Sequence, residues 1–84
     1  MQMNLDHIES DFLRGVLQGD ISEDALCEAL SMSAEALHED ARNPEIPERV
    51  WDARAAALDY ALHDWNVEGD MAGALESLRR FWAV

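Results

Sequence analysis

Apolar residues recur every three or four positions through most of the chain, and no segment alternates apolar and polar residues with the two-residue period of a strand. The first series, Leu5, Ile8, Phe12 and Val16, widened by Leu13 and Leu17, predicts a helix over about Leu5–Gln18. Asn4 is placed to cap its start and Gly19 its end, with Gly15 a mild weakness inside it.

Ser22 is the next N-cap signal. Ile21 and Leu26 flank it at hydrophobic-staple positions, and Glu23 and Asp24 suit the positive end of a helix dipole. Ser33 repeats the device between Met32 and Leu37. The pattern therefore fits either two short helices, one ending near Ser31 and one over Ala34–Arg42, or one kinked helix over Glu23–Arg42. The segment Asn43-Pro44-Glu45-Ile46-Pro47 is the clearest break, since each proline removes a backbone donor and disfavours helix in the residue before it.

Pro47 suits the first position of a new helix, whose inner face is Val50, Trp51, Arg54, Ala57, Leu58, Ala61, Leu62 and Trp65. After a turn at Asn66–Gly69, Asp70 can cap a last helix with Met71, Ala74, Leu75, Leu78, Phe81 and Trp82 turned inward. The fold class expected is all-α, a compact four- to five-helix antiparallel bundle forming one domain over residues 1–84.

Charge changes the picture more than composition does. The 84 residues carry 18 acidic and 6 basic side chains, a formal net charge of −12, and every basic residue is arginine. Residues 1–40 hold ten carboxylates and one arginine, a net of −9; residues 41–84 hold eight and five, a net of −3. Such a field opposes DNA, RNA and anionic membranes and speeds encounter with a basic partner. Self-repulsion also opposes compaction, so the fold should gain stability from added salt or mildly acidic buffer. The 49% apolar content argues against a disordered acidic tail.

Cys27 is the single cysteine, which excludes an internal disulfide. With neither a signal-peptide pattern nor a run of roughly 20 apolar residues, a cytoplasmic location is expected. The absence of lysine beside abundant alanine and arginine suggests a GC-rich genome, bacterial or phage.

Few residues suggest reaction chemistry. His7, His38 and His63 are far apart, and Asp59 with His63 gives two potential ligands where zinc usually takes three or four, so no metal and no cofactor are expected. Cys27 lies among acidic neighbours that disfavour a thiolate, and reads as a small buried hydrophobe rather than a nucleophile. The four glycines follow no phosphate-binding spacing. The chain is expected not to be an enzyme.

The candidate binding residues are acidic: Asp20, Glu23, Asp24, Glu28, Glu35, Glu39 and Asp40. Asp20, Asp24 and Glu28 are spaced by four, as are Glu35 and Glu39, so each set lines one side of a helix. Such carboxylates can stand in for nucleic-acid phosphates in the basic groove of another protein, or they can simply form a solvated face. Phe81 and Trp82, adjacent to each other and close to Arg79 and Arg80, are a candidate apolar anchor for a partner or for a second copy of the chain.

The segment Asp11–Leu30, DFLRGVLQGDISEDALCEAL, resembles the first helix-turn-helix of small acidic bacteriocin immunity proteins, which cover the substrate-binding surface of basic nuclease toxins. It lacks a counterpart to the tyrosine-bearing core of the nuclease-colicin immunity group. In size and charge the whole chain is also similar to phage-encoded inhibitors of CRISPR or restriction complexes. The function expected is a protein inhibitor of a basic nucleic-acid-handling protein or complex, acting as an anti-CRISPR-like phosphate decoy. The alternatives are toxin immunity and a helical adaptor or anti-activator docking through Met71, Phe81 and Trp82.

Overall fold

The computed structural model describes Ile8, residues 10–19 and residues 22–83. Four helices follow one another: α1 (Asp11–Leu17), α2 (Glu23–Asp40), α3 (Glu48–Asn66) and α4 (Met71–Ala83), with no strand among the described residues. The Cα radius of gyration is 12.2 Å, near the value of about 12 Å that a compact chain of this length should have.

The first helix starts later than the apolar spacing predicts. Ile8 is buried without being helical, and Ser10 caps α1 by accepting a hydrogen bond from the Leu13 amide at 3.2 Å. The expected cap Asn4 lies outside the described residues. Starting at Asp11 turns Leu13, Val16 and Leu17 inward and leaves Phe12 45% exposed. Gly19 follows the helix with φ +104°, the left-handed region where glycine is favoured, and its amide donates to the Val16 carbonyl.

A single helix spans Glu23–Asp40, which resolves the two readings of this segment. Ser22 caps it through the Ala25 amide at 3.2 Å, whereas Ser33 caps nothing. Ser33 is fully buried and donates its hydroxyl hydrogen to the Ala29 carbonyl, 2.8 Å away. The break after α2 is a turn in which Asn43 Oδ1 accepts the Glu45 amide at 2.9 Å. Pro47 falls one position earlier than expected: it is the extended N-cap of α3 rather than its first helical residue, and its carbonyl accepts from the Val50 and Trp51 amides.

The last turn is closed by Gly69 at φ +64° and by Asp70, whose Oδ1 accepts the Gly73 amide at 2.9 Å. Helix α4 buries Ala74, Leu75, Ser77, Leu78 and Phe81. It packs most extensively on α3 and also touches α1 and α2, so it carries the centre of the core. Leu13, Val16 and Leu17 of α1, Leu26, Ala29 and Leu30 of α2, and Leu58 and Ala61 of α3 complete that core with Ile8. No helix among the described residues is long and apolar enough to cross a membrane.

Candidate functional site

Helix α2 has a wet side and a dry side, and its sequence separates them sharply. Leu26, Ala29, Leu30 and Ser33 are buried; Glu23, Asp24, Cys27, Glu28, Ser31, Ala34, Glu35, His38 and Glu39 are exposed. At roughly 100° per residue, Asp24, Glu28, Glu35 and Glu39 fall within an arc of about 60° on the side away from the core. With about 1.5 Å of rise per residue they extend over about 22 Å of helix. Glu23, turned about 100° from Asp24, is exposed at the first turn outside this row, where its charge favours the helix dipole.

Among the described residues none of Glu23, Asp24, Glu28, Glu35 and Glu39 takes part in an ion pair. Four of the six arginines have other partners. Arg14 pairs with Asp11, Arg54 with Asp40, and Arg79 with Glu76 at 3.4 Å. Arg42, just past the end of α2, is hydrogen-bonded to His38 Nε2 at 3.2 Å. The row is therefore a set of like charges outside the ion pairs of the described residues, with Arg42 as the cation held near its last turn through His38.

Asp40 does not belong to that row. One residue beyond Glu39 the helix has turned by about 100°, which brings the Asp40 carboxylate to the guanidinium of Arg54 on α3, each side chain about one-fifth exposed. Its role is to join the end of α2 to α3. Asp20, the remaining acidic candidate, lies outside the described residues.

The aromatic pair divides. Phe81 is a core side chain, 1% exposed, so of the two only Trp82 keeps a partly exposed surface. The rings meet edge to face with centroids 5.2 Å apart, and the Arg54 guanidinium lies 6.0 Å from the Phe81 ring centre. Trp51 is half-buried and its indole N–H donates to the Leu37 carbonyl at 3.1 Å. Among the described residues, the large apolar side chains that do face solvent are Phe12, Tyr60 and Val67.

Comparison with known proteins finds no matching family model, no matching characterised sequence and no matching solved structure. The site has to be read from its own geometry.

Other candidate chemistry thins out in three dimensions. His63 faces Glu68 at 3.5 Å, and among the described residues no group of three or more potential ligands is positioned to hold a metal ion. Cys27 is exposed, not buried, because it falls on the wet side of α2 between the first-turn carboxylates and Ser31. A depression whose described lining is Ala56, Asp59, Tyr60 and His63, all on α3, is open to solvent.

Several contacts that organise the site were not legible locally. Arg79 and the Ser33 hydroxyl are polar groups on inward or edge positions of apolar helix faces, and each finds its partner on a distant element.

Proposed function

We propose that this chain is a protein-binding inhibitor that presents the outer face of α2 to a basic, nucleic-acid-handling protein and competes with nucleic acid for that surface. The observation that supports the reading is the row of Asp24, Glu28, Glu35 and Glu39, two pairs with Ser31 between them, exposed along one side of a single helix and outside the ion pairs of the described residues. Like charges one turn apart cost a few tenths of a kcal/mol per pair, so the arrangement opposes folding and favours association with a cationic groove. Carboxylates fixed on a helix would occupy such a groove as backbone phosphates do. Association would be steered at long range and weaken steeply as salt rises.

Within that reading an anti-defence or anti-CRISPR-like role and toxin immunity differ only in the partner. Docking by an apolar face draws less support, because Phe81 is consumed by the core and Met71 is half-buried against it.

The test is affinity capture with the wild-type chain and with a fourfold variant, Asp24→Lys, Glu28→Lys, Glu35→Lys and Glu39→Lys, as baits at low and moderate salt. The expected result is a basic nucleic-acid-binding protein retained by the wild type alone, released by salt, and blocked by the wild type from binding a DNA or RNA oligonucleotide. Equal retention by a folded fourfold variant, or retention indifferent to salt, overturns the proposal.

A further inference from the structure

The first helix is held differently from the rest of the core. Helix α1 has 7 residues, well short of the roughly 12–15 at which a helix begins to persist without tertiary support. It touches α2 and α4 but not α3, while α3 and α4 form the most extensive helix pair. Its inward surface comes down to Leu13, Val16 and Leu17, with Ile8 just before it. Gly15, in the middle of α1, has open space around its Cα and adds no packing. One polar contact pins the far end: Arg79 Nε–H on α4 donates to the Leu17 carbonyl at 2.6 Å, across 62 residues of sequence. That bond serves a last-turn carbonyl that α1 cannot satisfy itself, and it sets a cation at the negative end of the helix dipole.

We infer that α1 is a latch: it opens from the α2–α4 body as one cooperative unit, with Arg79 as its catch, while the other three helices stay folded. Gly19, at φ +104° just beyond the Gln18 C-cap of α1, marks the edge of the unit. Opening uncovers the apolar side chains of α2 and α4 that α1 covers and leaves the outer face of α2 in place. The latch therefore modulates the apolar side of the molecule independently of its acidic side. Glu76 shares Arg79 through the other end of the guanidinium at 3.4 Å, and is more than half exposed, so it is a weak competitor for the catch.

Amide hydrogen exchange on the full-length chain, resolved by residue, tests this. The α1 amides of the wild type should exchange at least about tenfold faster than the slowest amides of α3 and α4, the behaviour of a sub-global opening. Arg79→Met, which keeps the aliphatic stem, should speed α1 exchange about tenfold further and leave α3 and α4 unchanged, whereas Glu76→Gln should leave α1 as it is. Equal exchange in all four helices, or acceleration by Arg79→Met spread evenly over them, overturns the inference. Should Arg79→Met fail to fold, Gly15→Ala provides the converse: slower exchange confined to α1 supports the latch, and slowing throughout or nowhere counts against it.

Discussion

The indole N–H of Trp82 donates to the hydroxyl oxygen of Ser33 at 2.9 Å, joining α4 to the middle of α2 across 49 residues of sequence. Ser33 passes its own hydrogen to the Ala29 carbonyl, so the hydroxyl acts as acceptor and donor at once in a fully buried position. A serine in mid-helix has little local reason to be there. Here it provides a small polar atom that accepts from the indole of a tryptophan lying against the helix.

That relationship predicts coupled energetics. Ser33→Ala and Trp82→Phe should each destabilise the fold by about 1–2 kcal/mol, by removing the hydrogen bond between them and by disturbing close packing. The double variant should lose less than the two separate losses combined, by about 0.5–1.5 kcal/mol. Urea unfolding of the four proteins measures the cycle; strict additivity would mean that the hydrogen bond contributes nothing.

Glycine positions separate in sign. Gly15 lies inside α1 with nothing near a prospective Cβ, so Gly15→Ala should stabilise by about 0.5–1 kcal/mol. At Gly73 an added Cβ would lie 2.9 Å from Asp70 Cγ and 3.1 Å from Asp64 Oδ2, displacing the carboxylate that caps α4. Gly73→Ala should therefore destabilise by about 1 kcal/mol or more. Thermal melts of the two variants should move in opposite directions.

Which parts of this architecture were readable beforehand follows from the range of the forces involved. The Ser22 cap, the double-proline break, the Asp70 cap and the inward faces of α3 and α4 are local signals, and each appears where its residues imply. The start of α1 misled because Ile8 fits the helical spacing but is buried without being helical, while the deciding cap is Ser10. Ser33 between Met32 and Leu37 imitates a cap and staple; only Trp82, remote in sequence, explains it. The acidic row was legible from its spacing, but the fate of Asp40 was not, since pairing with Arg54 is a tertiary event.

Salt should stabilise the free protein. Asp24 with Glu28 and Glu35 with Glu39 are like-charge neighbours one turn apart on an exposed face, and the chain carries a net charge of −12. Screening at about 0.15 M ionic strength, where the Debye length is roughly 8 Å, weakens that repulsion. The midpoint of thermal unfolding should rise between low and moderate salt, and Glu35→Gln with Glu39→Gln should flatten the rise. A midpoint that falls with salt would mean that attractive ion pairs outweigh the repulsion.

Glu39 and Asp40 are adjacent in sequence and should respond oppositely to neutralisation. Glu39 is exposed and outside the ion pairs of the described residues, so Glu39→Gln removes charge only from the outer row. It should leave stability unchanged or raise it by a few tenths of a kcal/mol, while weakening association with a basic partner. Asp40→Asn strips the carboxylate from a pair in which both side chains are about four-fifths buried, weakening the charge balance of the Arg54 guanidinium in a poorly hydrated place. Removing one member of such a pair is costlier than the pair's net worth, and a loss of about 1–3 kcal/mol is expected, with partner affinity preserved at temperatures where the variant is folded. Denaturation and binding measured on the same two proteins decide it: if Asp40→Asn weakens binding as much as Glu39→Gln does, Asp40 belongs to the contact face after all, and the geometric division between the outer row and the α2–α3 joint fails.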